Sequence, residues 1–165
     1  MMIERTADSE GALSGELASF LRLGVAAVVG TAGSDGRPEI ARAWGLIPQP
    51  DDRTLTVFIP TAHADRTLSN LKANRRVAVT CSLPTTYEAY QLKGELLGTR
   101  DGRESDRPIV EMYREAFLSE TATIGFTDEL RHAHYWPVVA LVVGVQQVFR
   151  QTPGAGAGEL LSEGE

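Results

Sequence analysis

Residues 54–83 read TLTVFIPTAHADRTLSNLKANRRVAVTCSL, and within this stretch the apolar period changes twice. In TLTVFIP, Leu55, Val57 and Ile59 alternate with Thr56, Phe58 and Pro60, the period of two that a pleated strand imposes. From Asp65 the spacing lengthens: Leu68 and Leu71 stand three apart, Asp65 is placed to cap a helix start, and Asn74 stands near the helix end. RVAVTCSL then returns to a β-branched run. A strand, a short crossing helix and a second strand form the unit from which the rest is read.

Toward the amino terminus, the turn PQPDDR precedes this unit, and PEIARAWGLI before it reads as a strand. AGSDG joins that strand to VAAVVGT, residues 25–31, with Asp35-Gly36 expected to supply the positive φ angles of a tight hairpin. The result is a three-strand meander. Leu13, Leu17, Phe20 and Leu21 recur at helical spacing and predict an amphipathic helix over Ser14–Arg22, capped by Ser14 or an earlier polar residue. Toward the carboxy terminus, YEAYQLKGELLGTR reads as a strand, separated from RVAVTCSL by Pro84 and two threonines. DRPIVEMYREAFLSE places Ile109, Met112, Tyr113, Ala116 and Phe117 on one helical stripe, with Asp106 as cap and Pro108 in the first turn. After a turn at Trp136-Pro137, VVALVVGVQQVF is too β-branched for a helix and is read as the closing strand.

Six strands with two or three helices predict a mainly β (α+β) protein, a small antiparallel barrel with peripheral helices. A doubly wound parallel fold is disfavoured: strands and helices alternate too rarely, and neither GxGxxG after a strand nor a P-loop lysine motif is present. With 165 residues, 42% hydrophobic and 23% charged, the chain suits one domain over residues 1–161, with a Gly-rich tail over 152–165 that is either loose or docked. Cys81, the single cysteine, excludes an internal disulfide and fits a reducing cytoplasm. No run reaches the ~18 apolar residues of a membrane span, and MMIERTADSE is too polar for a secretory signal. A net charge of −6 argues against a broad nucleic-acid surface.

The catalytic patterns that announce themselves (GxSxG, HExxH, paired CxxC, the calcium loop) are absent. His132 and His134 would share a face in a strand, with His63 in a loop, but a metal site needs three or four ligands, so surface histidines and no metal are expected. Cys81 lies in an apolar strand with no flanking cation to activate it and reads as a buried, inert thiol. Arg42 and Trp44 are two apart on one strand face; together they can hold an anionic planar ligand, or the guanidinium simply stacks on a partly buried indole. Thr61, Ala64 and Arg66 lie where a strand ends and a helix begins, where backbone N–H groups, a hydroxyl and a guanidinium can converge on phosphate. Arg100, Arg103 and Arg107 interleave with Asp101, Glu104 and Asp106 and read as a solvated mixed-charge turn.

VAAVVGT, SDGRP, the strand carrying Arg42, TLTVFIPT and DRTLSNLKANRRVAVTCS, taken in this order, resemble the pyridoxamine 5′-phosphate oxidase-like family of FMN-binding split β-barrels over roughly Leu17 to Gly98. The resemblance implies a six-stranded antiparallel split β-barrel and a homodimer with FMN in clefts between subunits. It also implies that Arg42, Thr61 and Arg66 surround the phosphate and ribityl chain, while Thr67 stands where a lysine is usual. Gln91, with Lys93 or Tyr90 as substitutes, fills the place of a glutamine contributed across the dimer. Trp44 is then free to border the flavin ring. The basic, histidine-containing carboxy-terminal strand of the true oxidases is missing, so oxidation of pyridoxamine phosphate itself is not expected. The expected function is an FMN-dependent oxidoreductase acting on a small molecule. The competing readings are a cofactor-binding or sensing module that holds haem or a deazaflavin, or that has lost its cofactor, and a dimeric structural domain.

Overall fold

The structure is a computed structural model that describes residues 12–13, 15–126 and 129–164. Eight strands form one antiparallel sheet: β1 (Ala26–Ala32), β2 (Pro38–Ala43), β3 (Leu46–Pro48), β4 (Thr54–Pro60), β5 (Arg76–Ser82), β6 (Ala89–Asp101), β7 (Val138–Arg150) and β8 (Leu160–Glu163). Three helices accompany them, α1 (Gly15–Phe20), α2 (Asp65–Asn74) and α3 (Arg107–Thr123). The hydrogen-bonded order is β2-β1-β5-β6-β7-β4-β3, with β8 on β7. The fold is a mainly β split barrel whose sheet does not close.

The split begins at Trp44-Gly45, where the long second strand of the sequence reading divides into β2 and β3. Residues 43 to 46 are all buried, so the in-out alternation breaks there. β2 pairs with β1 and β3 with β4. The chain therefore crosses from one partner to the other, and the expected meander is replaced by two hairpins at opposite ends of the sheet path. Gly45 suits the crossing because a Cβ there would lie 2.8 Å from the Phe58 ring.

β7 explains the other added strand. Its first half pairs with β4, from Val138↔Pro60 to Gly144↔Thr54, and its second half pairs with β8 through Gln147↔Glu163 and Val148↔Ser162. The Gly-rich tail is thus docked. Along its other edge β7 follows β6, with register shifts at Lys93/Gly94 and Leu96/Gly98. Gly94 permits the first of these, since a Cβ on it would overlap the carbonyl oxygen of Gly144.

Several local expectations shift by small amounts. Only Gly36 of the Asp35-Gly36 pair has positive φ, at 77°; its N–H donates to Gly33 O at 3.0 Å, which makes a longer hairpin loop than the two-residue type. The N-cap of α2 is Ala64 rather than Asp65, because a 3₁₀ turn over Thr61–His63 leads straight into the helix. Arg75 ends α2 in a left-handed conformation. Met112 is 69% exposed, and α3 instead buries Val110, Tyr113, Phe117, Leu118 and Thr121. The helix is rotated so that Ala116 meets Gly24, where a Cβ would collide with the Ala116 backbone. Ser14, offered as a cap, lies outside the described residues.

Two apolar clusters result. The inner one fills the barrel with Val29, Leu55, Val57, Ile59, Val79, Leu92 and Leu141, joined by Leu13, Leu17, Phe20 and Leu21 from the first helical segment. The outer one lies beneath α3 and comprises Trp44, Phe58, Val110, Phe117, Val138 and Ala140.

Candidate functional site at the barrel split

β2 pairs with β1 along one edge and ends the sheet path at the other. Two contacts link β2 and the residue that follows it to β4 and α2. At one end the Trp44 N–H donates to Phe58 O at 2.8 Å; at the other, Arg66 Nη1 lies 3.5 Å from Glu39 Oε2. Between these contacts run residues 40–43 on one side and residues 59–65 on the other.

Arg66, at the start of α2, keeps 84% of its side chain exposed, and a 3.5 Å pair at that exposure is weak. Its guanidinium is available to an incoming oxyanion. Thr67, one residue on, is fully buried, and its hydroxyl has no hydrogen-bond partner. Thr61 is exposed, and its hydroxyl donates to Pro137 O at 2.8 Å, leaving its lone pairs free. Helix α2 is held against the barrel by Asn70 Nδ2 to Thr31 Oγ1, 3.1 Å, and Asn74 Nδ2 to Ala32 O, 2.8 Å.

Arg42 is the most unusual member. Odd-even alternation turns Glu39 and Ala41 inward and Arg42 outward, beneath α3. Its guanidinium carbon lies 4.9 Å from the Trp44 ring centroid and 4.3 Å from that of Phe117. Nε and Nη2 are buried with no hydrogen-bond partner. Burial drives the Arg42 pKa down, and the nearby Tyr113 hydroxyl opposes that only in part. The guanidinium thus stacks on the Trp44 indole. Trp44 itself is 2% exposed and packs edge-to-face on Phe117 at 5.5 Å, so in this chain its ring has no face left for a flavin. The sequence placed Phe117 on a core stripe; nothing in its spacing marked it as the second wall of an arginine slot.

The residues of β6 separate by face. Tyr90 points inward, 3% exposed and edge-to-face on Phe20 at 4.9 Å. Gln91 and Lys93 point outward: Gln91 Nε2 donates to Thr80 Oγ1 at 3.1 Å, and Lys93 Nζ lies 4.7 Å from the Phe149 ring centroid. Opposite them on the same outer face the register sets Thr80 and Ala78 of β5, Val28 and Gly30 of β1, and Arg42 and Ile40 of β2. That face carries small side chains and ends in Ile40, 68% exposed.

The remaining candidates fall away from the opening. Cys81 is buried, and burial pushes its thiol up to about 12, the inert state expected of it. His63 sits exposed in the 3₁₀ turn, while exposed His132 and His134 lie in a turn and a loop rather than a strand. Among the described residues no three His, Cys, Asp or Glu side chains cluster to hold a metal. The arginine-rich turn is more ordered than a solvated loop. Arg100 Nη1 and Nη2 donate to Asp106 Oδ2 and Oδ1 at 2.6 and 2.9 Å, and Arg103 N–H donates to Oδ2 at 2.8 Å, which anchors the start of α3. No helix among the described residues is long and apolar enough to cross a membrane.

This architecture is the split barrel of FMN-binding, pyridoxamine 5′-phosphate oxidase-related proteins, in agreement with the resemblance read from residues 17–98. A protein of that description from Nostoc punctiforme superimposes with a TM-score of 0.51 at 16% identity, over 90% of this chain and 88% of its own. An F420 reductase gives 0.52 at 17% identity, over 82% and 97%. A variant of HupZ from Group A Streptococcus gives 0.51 at 18% identity, over 84% and 98%. No family model and no curated protein matches the sequence.

Proposed function

We propose that this protein binds FMN at the split, as a homodimer of the pyridoxamine 5′-phosphate oxidase-like type, and acts as a flavin-dependent oxidoreductase on a small molecule. The observation that carries this reading is the 84% exposed Arg66 side chain at the start of α2, close in sequence to the exposed Thr61 hydroxyl, with two further donor groups, Thr67 Oγ1 and the Arg42 guanidinium, left buried without a partner. Such donors fit a phosphate ester. Likeness of fold to an FMN-binding protein and to an F420 reductase favours a flavin-type ring over the haem reading, for which His63, His132 and His134 are all surface residues.

In this reading Arg66 and Thr61 hold the phosphate, while Thr67, which stands where a lysine is usual, is buried behind them. Gln91 reaches the cofactor of a second copy across the outer sheet face. Trp44 is a packing wall behind Arg42 rather than a surface for the ring. Bound flavin supplies the hydride chemistry; the residues of this chain orient it and exclude water. The small outer side chains of β1 and β5 and exposed Ile40 leave room for the second copy beside Gln91.

The test is a visible absorption spectrum of the purified protein before and after denaturation, with and without added FMN, alongside its mass by light scattering. A flavin spectrum near one per subunit in a dimer is the expected result, and the band shape separates FMN from a deazaflavin. Arg66→Ala is expected to lose flavin and keep the dimer. A protein that refuses FMN, or an Arg66→Ala variant with unchanged flavin content, overturns the assignment.

A further inference from the structure

Arg42 presents a physical problem that its neighbourhood does not solve. A cation removed from water needs a counter-charge or hydrogen-bond acceptors, and leaving buried N–H donors empty is costly. Here two aromatic rings hold the guanidinium, while Nε and Nη2 are buried and empty. Cation–π attraction offsets part of the desolvation but satisfies no N–H in the guanidinium plane. Stability alone does not account for a buried guanidinium with two empty donors.

We propose that the Trp44–Phe117 slot stows the Arg42 guanidinium while the split is empty, and that Arg42 leaves the slot to grip an oxyanion entering the split, so that slot and ligand compete for one side chain. The arginine, a long side chain on the strand bordering the opening, changes partners by rotamer alone. Its two buried donors gain acceptors in the process, and the ring contacts are given up. The ligand class is a phosphate or carboxylate group. That the oxyanion is the FMN phosphate rests on the function proposed above; the stowing of Arg42 does not.

The experiment compares wild type, Arg42→Met and Phe117→Leu by thermal melting and by titration with FMN, riboflavin and inorganic phosphate, with the oligomeric state monitored throughout. Methionine fills the slot without a charge, so ligand-free Arg42→Met is expected to melt higher than wild type, by about 2–4 °C. It is expected to bind FMN at least tenfold more weakly while binding riboflavin as wild type does. Phe117→Leu removes one wall and is expected to bind FMN about three- to tenfold more tightly despite a lower melting temperature. In a Trp136→Phe background, the remaining Trp44 emission is expected to shift as FMN or phosphate saturates.

Arg42→Met melting below wild type overturns the proposal, as does loss of its dimer in place of its anion response. Equal FMN affinity in wild type and Arg42→Met also overturns it, and leaves the flavin reading standing. FMN binding to neither protein removes the flavin reading instead. The phosphate arm then decides: a phosphate-dependent rise in melting temperature that Arg42→Met lacks sustains the stowed arginine, and its absence ends it.

Discussion

The inside of the barrel and the layer beneath α3 are built from one sheet and obey different rules. The inner cluster is aliphatic, with Leu55, Val57, Ile59, Val29, Val79 and Leu141 fully buried. The outer cluster is aromatic, built on Trp44, Phe58 and Phe117, and it borders a half-buried arginine with two empty donors. Close-packed aliphatics maximise burial at no polar cost. The outer layer gives up some of that gain by holding a cation against aromatic rings.

Substitutions on the two sides separate these roles. The largest effect is expected inside: Leu141→Ala should cost about 2–5 kcal/mol in a denaturant titration, because a rigid barrel wall cannot collapse into the cavity. A loss below 1 kcal/mol would show the inner core to be loosely packed. Next comes the hinge between the layers. Gly24→Ala forces a Cβ into the Ala116 backbone, so α3 must lift, at about 1–3 kcal/mol. Hydrogen exchange should show lost protection in α3 and retained protection in β5 and β6.

The anchor of α3 gives a smaller, pH-dependent effect. The Arg100 side-chain hydrogen bonds hold the Asp106 carboxyl below the usual carboxylate range, against the burial that raises it. A depressed carboxylate stabilises the fold at pH above its unfolded value and loses that contribution as pH falls through the folded one. Asp106→Asn should therefore cost about 1–2 kcal/mol at neutral pH, trimmed by the partial exposure of Arg100. Stability measured against pH should show the gap constant down to roughly pH 5 and closing below roughly pH 4. A gap that persists in acid would mean the aspartate acts as a neutral cap. The smallest stability change is expected at Ile40→Glu, within about 0.5 kcal/mol for the isolated chain. Its effect should appear in light scattering, as loss of the proposed dimer.

The inner layer was legible in the sequence because it depends on alternation alone: Leu55, Val57 and Ile59 point inward as their spacing requires. The outer layer was not, because α3 must dock before Trp44 is covered, and no local period encodes the angle at which a helix sits on a sheet. Met112 failed as a core residue for this reason, and Val110 took its place. The break at Trp44-Gly45 escaped because PEIARAWGLI reads as continuous strand, and the crossing is set by Phe58, which lies in another strand. Of the candidate site, Arg42, Thr61 and Arg66 were named from residue type and placement; Thr61 and Arg66 are exposed near the start of α2, while Arg42 lies beneath α3. Trp44 was also named, but its ring serves the slot.

The divided edge of β7 has a further consequence. An unpaired strand edge invites other chains to add to it, and β7 is a valine-rich strand with little charge to discourage them. β4 covers its first half and β8 its second, and the junction is sealed where Val145 N–H donates to Arg53 O and Gly164 N–H to Gln146 O. Residues 160–163 thus work as an edge guard: a chain trimmed before them keeps Arg66 and the β4 pairing but leaves the Gln147–Phe149 edge of β7 open to other chains.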